Sequence, residues 1–337
     1  MTDERTLDLL EAKIGELRQL NAVEGIDLSK EIARLEEKLQ HLREKLYANL
    51  SDWERVKLAR NPKRPYSLDY LETVFEGFYE LRGDRVTGDD RALLTGLARL
   101  DGRPVVILAQ QKGRTTEENK ERFFGMPRPQ GFRKARRAIE LADRFGFPLI
   151  SLIDTPGAYP GLEAEEQNIG ATIAESLQAM AGVRVPSVAV VIGEGGSGGA
   201  LAIGLADCIL MLENAIFSVI TPEGAASILW KDKDKAKEAA AALQMTADRL
   251  LTLGLIDGIV PEPLGGAHKD PAKTEAALKG EILRRLAELE AAPTDERLAR
   301  RYARYRAIGR FRPAPPAPAT DAPEPPAADA TAPSVAR

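Results

Sequence analysis

Two stretches of this chain place glycine where a backbone would approach a ligand closely. One is Asp154-Thr155-Pro156-Gly157-Ala158-Tyr159-Pro160-Gly161, and the other is Gly193-Glu194-Gly195-Gly196-Ser197-Gly198-Gly199-Ala200. Glycine has no Cβ to hold a ligand away, and the first N–H groups of a following helix lack internal acceptors. Such amides can bind an anion. Aimed at one point, they form an oxyanion hole for an enolate or an enolate-like oxygen. That chemistry needs no catalytic side chain when the substrates themselves supply the base.

Other readings of the same residues compete. Gly193, Gly195 and Gly198 fit the dinucleotide pattern G-x-G-x-x-G, although the strand before them comes late in the chain. Asp154-Thr155-Pro156-Gly157 resembles the magnesium-side loop of a GTPase, but the required phosphate loop G-x-x-x-x-G-K-[ST] is absent from the sequence. Gly195-Gly196-Ser197-Gly198-Gly199 satisfies the nucleophile-elbow pattern G-x-S-x-G. Asp257 and His268 follow Ser197 in the order found in α/β-hydrolases, so a serine hydrolase built on Ser197 and His268 is the alternative enzyme.

Elements of alternating type must hold these loops. Short apolar runs at 104–109, 148–154, 186–192, 208–212 and 216–220 read as buried strands, with helical stretches at 131–145, 165–181 and 199–206 between them. Continuous apolar strands separated by helices predict an α/β core with a largely parallel sheet. Ahead of it, Leu7, Leu10, Ile14 and Leu17, then Leu28, Ile32, Leu35, Leu39, Leu42 and Leu46, recur by threes and fours. That spacing predicts a helical hairpin over 1–50, with Gly25 in its turn and Asp27 capping the second helix. Residues 51–310 hold the main domain, in which 51–70 reads as a connecting segment and 273–310 as helix. Eight of the 22 prolines fall in 313–337, so 311–337 is expected to be a disordered tail.

Scarcity narrows the chemistry further. The 337 residues include one cysteine, Cys208, and two histidines, His41 and His268. No intrachain disulfide or thiolate zinc site can be built, and no metal is expected in this chain. The formal charge is −4, which argues against general binding to nucleic acid or anionic membranes. The acidic start and the lack of a long apolar run predict a cytoplasmic protein. One local excess stands out: residues 112–137 carry nine Lys/Arg and three Glu. It is either a solvated face or an attraction for a ligand's phosphates or for a partner's acidic surface.

Long motifs bring a resemblance. They are Glu76-Gly77-Phe78-Tyr79-Glu80-Leu81-Arg82-Gly83-Asp84-Arg85, Gly125-Met126-Pro127-Arg128-Pro129-Gln130-Gly131, the two glycine loops, Thr221 to Trp230 and Leu255 to His268. Across about residues 5 to 310, the chain resembles the alpha-subunit family of bacterial and plastid acetyl-CoA carboxylase carboxyltransferases. The resemblance implies a crotonase-like fold of stacked ββα units with an N-terminal helical extension. It implies transfer of a carboxyl group from carboxybiotin, held on a biotin carboxyl carrier protein, to acetyl-CoA, giving malonyl-CoA for fatty acid synthesis.

The implied partners are a carboxyltransferase beta subunit, in an α2β2 assembly, and biotin carboxylase in the full complex. The implied active site lies between the two kinds of subunit, with the alpha subunit facing the biotin. The family pattern puts the oxyanion donors at the amides of Gly198 and Gly199. Gly196 and Ser197 become parts of the binding loop, Gly157 and Ala158 a second wall of the pocket, and Asp154 a residue that fixes its loop by hydrogen bonds. At Glu165-Glu166-Gln167-Asn168-Ile169-Gly170 the chain departs from the family pattern, and no contact is carried over from that helix.

Overall fold

The computed structural model describes residues 4–24, 27–47 and 49–309. The expected tail over 311–337 and the expected turn at Gly25 lie outside these residues. One mixed sheet organises the rest. Its strands are β1 (Glu76–Glu80), β2 (Leu93–Leu100), β3 (Arg103–Gln110), β4 (Leu149–Thr155), β5 (Ser187–Gly196), β6 (Cys208–Leu212), β7 (Ile216–Ser218) and β8 (Gly258–Val260). They lie side by side in the order β1-β2-β3-β4-β5-β6-β8, and β7 joins the far end of β5. The pairs β1–β2 and β2–β3 are antiparallel, while every pair from β3 onward is parallel.

The parallel half matches its residue types. All seven residues of β4 and all five of β6 are buried, as both faces of a parallel sheet must be. The helix Pro129–Phe145 covers β2 and β3 with Phe132, Ala135, Ile139 and Ala142. Proline at its first turn and Gly146 in the left-handed region (φ 71°) just beyond its end set its limits. A second helix, Ile169–Gly182, packs beside it. The expected single helix over 165–181 is instead two, Leu162–Glu166 and Ile169–Gly182, because Asn168 sits at φ 61° and breaks the run.

The leucine seams do form two helices, Glu4–Glu24 and Ser29–Tyr47, packed through Leu7, Ile14 and Leu39. Asp27 Oδ1 accepts from Ser29 N–H at 3.2 Å, as a cap for the second helix. The supposed connecting segment is more structured than expected. Asp52–Ala59 and Ser67–Thr73 are helices, the first opened by a reciprocal Ser51–Glu54 capping box. The predicted C-terminal helix is divided as well, into Pro271–Glu290 and Thr294–Ala307.

A buried ion pair ties the segment before the sheet to its far end. Arg64 and Glu262, 2% and 0% exposed, form a two-pronged contact at 2.8 and 2.7 Å. Arg64 also donates to Ile192 O at 2.9 Å, and Glu262 accepts from Asn214 and from the Ala267 amide. Burying two charges is costly, but removing one and leaving the other is worse. Glu262→Leu is expected to destabilise the chain by about 3–5 kcal/mol in denaturant unfolding. The double replacement Arg64→Met, Glu262→Leu should lose less than Glu262→Leu alone, and an equal or larger loss would contradict this account.

Candidate active site

Both glycine loops emerge at the carboxyl ends of neighbouring parallel strands, β4 and β5, where open α/β sheets bind ligands. Each begins with a carboxylate. Asp154 ends in a buried position on β4, and its Oδ1 accepts from the Glu194 amide of β5 at 2.9 Å. Lys112, just past β3, places its ammonium 2.7 Å from Asp154 Oδ1 and 2.9 Å from Glu194 Oε1. Burial alone would lower the pKa of Lys112, but these two carboxylates outweigh it and hold the ammonium charged. Burial alone would raise Glu194; Lys112 and Arg60 reverse that and keep it below the usual range. Arg60 then links Glu194 (2.7 Å) to Glu223 (2.7 Å).

Above this ionic layer the loops touch main chain to main chain. A Cβ added at Gly196 would lie 2.1 Å from Pro156 O, and one at Gly199 would lie 2.6 Å from the Gly157 carbonyl carbon and 2.7 Å from Ala158 N. Any side chain at either position must drive the loops apart. Gly198 differs: its added Cβ would meet only Ile173, at an ordinary 3.6 Å. Gln110 locks the arrangement, accepting from the Asp154 amide at 3.2 Å and donating to Gly199 O at 2.7 Å. Thr155 Oγ1 lies 2.6 Å from Gly125 O and accepts from the Gly157 amide at 3.1 Å.

The structure therefore brings Asp154, Gly157, Ala158, Gly196, Ser197, Gly198 and Gly199 into one place. The helix Ser197–Gly204 starts there, with no side-chain cap at Gly196. Ser197 is at φ 52°, and a step from the left-handed region into helix is the backbone pattern of an anion-binding nest. Gly157 is different, since its amide is already satisfied by Thr155. Asp154 sits beneath the loops, held by Lys112 and the Glu194 amide. Gln110, Lys112, Thr155 and Glu194 escaped the sequence reading. The polar run Gln110-Gln111-Lys112 after an apolar strand was the available signal for two of them.

The serine hydrolase alternative fails here. Ser197 has an elbow-like positive φ, but the supposed partners are engaged elsewhere. His268 Nε2 lies 3.3 Å from Asn61 Nδ2, and Asp257 accepts from the Ile209 amide and pairs with Arg304, each at 2.7 Å. The basic segment 112–137 is also largely consumed inside the fold. Lys112 serves the loops, Arg133 pairs with Asp84 at 2.8 Å, and the buried Lys134 pairs with Asp89 at 2.5 Å. Arg128 lies over the Phe123 ring, and Arg114 pairs with Asp69. Among the described residues no helix is long and apolar enough to cross a membrane, and no group of three or more His, Cys, Asp or Glu could hold a metal ion.

His268 nevertheless makes a pH prediction. Burial, then the nearby Lys269 and Arg64 cations, push its pKa from 6.5 down to about 4. The unfolded chain thus binds a proton between these values that the folded chain refuses, so stability falls as the pH drops from 6.5 towards 4. In thermal melts across this window, His268→Gln should show a shallower decline than the wild type. Parallel curves would show that His268 does not carry the effect.

Comparison with known proteins shows which family the chain resembles. A family model described as acetyl co-enzyme A carboxylase carboxyltransferase-like matches residues 1–309. The acetyl-coenzyme A carboxylase carboxyl transferase subunit alpha of Methylococcus capsulatus is 53% identical over 306 residues, covering 91% of this chain and 95% of that one. The subunit of the same name from Haemophilus ducreyi is 54% identical over 301 residues, covering 89% and 95%. Among solved structures, transcarboxylase 12S with hydrolysed methylmalonyl-coenzyme A matches with a TM-score of 0.54 at 22% identity, over 78% of this chain and 47% of that one. The beta subunit of P. aeruginosa geranyl-CoA carboxylase matches with a TM-score of 0.54 at 23% identity, over 73% and 46%. The chain spans under half of each of these two structures, and the likeness concerns the fold, which is the crotonase-like one that the motifs predict. The relatives matched along nearly their whole length carry the stronger result: the chain belongs to the acetyl-CoA carboxylase carboxyltransferase-like family.

Proposed function

We propose that this chain is the alpha subunit of an acetyl-CoA carboxylase carboxyltransferase, acting with a beta subunit to carboxylate acetyl-CoA to malonyl-CoA. The observation that carries the reading is the side-chain-free turn at Gly198 and Gly199, at the start of a helix with no side-chain cap, in a chain half identical to subunits of that name. Carboxybiotin, delivered as a substrate on a carrier protein, supplies the carboxyl group and, once this has left, a ureido nitrogen able to take a proton from the acetyl methyl group. The N–H groups of Gly198 and Gly199 hold the negative charge that develops on the ureido oxygen. Their directions are fixed in advance by the Gln110 bridge to Gly199 O and by the contact with Gly157 and Ala158. Gly196 lets the loops close, Ser197 turns the chain, and Gly157 and Ala158 form the opposing wall. Asp154 stays a loop anchor, held by Lys112, and takes no proton from substrate.

The test is malonyl-CoA formation by the chain assembled with its beta subunit and supplied with carboxybiotinylated carrier. No product from a properly assembled complex would overturn the proposal. Two variants at one position then separate the amide from the space around it. Gly198→Ala keeps the donor and meets only Ile173, whereas Gly198→Pro deletes the donor in a first helical turn that accepts proline. Gly198→Ala should stay within about threefold of wild-type kcat, and Gly198→Pro should lose about 10²–10³-fold with assembly intact. Equal rates for the two in the assembled complex would remove the amide from the mechanism.

A further inference from the structure

One turn near the site holds a conformation that its own packing does not explain. Phe123 and Phe124 lie at φ 48° and 56°, in the left-handed region that ring-bearing residues rarely enter. Strain of this kind persists where the surroundings enforce it, and it gathers at ligand-binding sites. Phe123 has an evident use inside the fold. Its ring meets Tyr159 edge-on, with centroids 5.3 Å apart, and the Arg128 guanidinium covers it at 4.0 Å. Phe124 has none of this, since 55% of it is exposed to solvent. The turn therefore directs an aromatic ring outward from a rigid base.

That base is the frame of the amide turn. Gly125 O receives the Thr155 hydroxyl, and Thr155 in turn accepts from the Gly157 amide. Gly157 touches Gly199. The backbone at Gly125 leaves no room for a side chain, because an added Cβ would lie 2.6 Å from Lys112 Cγ. Pro127 O accepts from the Tyr159 amide at 3.0 Å, which closes the rim on the other side. The backbone that carries Phe124 is thus joined to the site by the Thr155 side chain and by one main-chain hydrogen bond.

The proposed substrate has a use for such a ring. Biotin presents a polar ureido edge and an apolar fused-ring face. With the ureido oxygen on the Gly198 and Gly199 amides, the polar edge is satisfied. At Gly198 and Gly199 the loop itself offers no side chain to cover the apolar face. Resting on the function proposed above, we infer that Phe124 is a substrate-binding residue whose ring forms the apolar wall for biotin.

The complex with the beta subunit tests this by carboxyl transfer from malonyl-CoA to free biocytin, which returns acetyl-CoA and carboxybiocytin. Phe124→Gly removes the ring and relieves the positive φ together. The KM for biocytin should rise by about tenfold or more, while kcat and the KM for malonyl-CoA stay within about twofold. The melting temperature should hold or rise by about 2 °C, since glycine suits this backbone. Phe124→Tyr should keep the wild-type KM for biocytin. A merely structural ring predicts the opposite pattern: a lower melting temperature, lost kcat and an unchanged KM for biocytin, which would overturn the inference. A rise confined to the KM for malonyl-CoA would assign the ring to the acyl-CoA and overturn it equally. A wild-type complex that moves no carboxyl group between the two substrates would instead remove the proposed function beneath it.

Discussion

The approach of two peptide segments with nothing between them governs this structure. Gly196 and Gly199 lie against the main chain of Pro156 to Ala158 more closely than any Cβ allows. Only adjacent parallel strands can deliver two loops at that spacing, and β4 and β5 do so with Thr155 facing Gly195 across the ladder. The ladder shifts register between Ile153 and Thr155, just where the strands give way to loops. The ionic layer below maintains the distance: one ammonium, Lys112, bridges the carboxylates of both loops, and Arg60 brings a second positive charge to Glu194. Bringing Asp154 and Glu194 together without it would set two buried negative charges side by side.

On the function proposed above, this arrangement lets a chain poor in histidine and cysteine serve a chemical step. Backbone amides carry no pKa to tune and no rotamer to lose, so their value lies wholly in being aimed before substrate arrives. The surrounding polar groups are accordingly spent on direction. Gln110 uses both ends of its amide, one on each loop. The Thr155 hydroxyl ties the turn after β4 to Gly125.

Much of this was legible in the residues, and the exceptions have physical causes. The strands β3, β4 and β6 show as unbroken apolar runs because a parallel sheet buries both faces, and the glycine loops show because glycine density is rare. The strands β1, β2 and β8 did not show. Glu76–Glu80 lies largely exposed at the sheet edge, and the three residues of β8 are too few for a pattern. The helices at 52–59 and 67–73 were hidden among prolines and basic residues, whose partners lie more than a hundred residues away. Local spacing cannot reveal that Arg60 meets Glu194 or that Arg64 meets Glu262. The partners of the charge excess at 112–137 were hidden for the same reason, since the acids that pair with it come from elsewhere in the chain.

Arg60 and Arg64 both precede the first strand, yet one supports the cation–carboxylate chain under the loops and the other spans the sheet's far end. The segment before residue 70 is therefore not a tether between a hairpin and a self-sufficient catalytic body. A chain trimmed to its sheet would keep the loop glycines and Lys112 but lose Arg60, the second cation beneath them, and Arg64. The stretch from Arg60 to Arg64 cannot be cut away with the hairpin before it: its loss strands the buried acids Glu194 and Glu262, more than a hundred positions downstream.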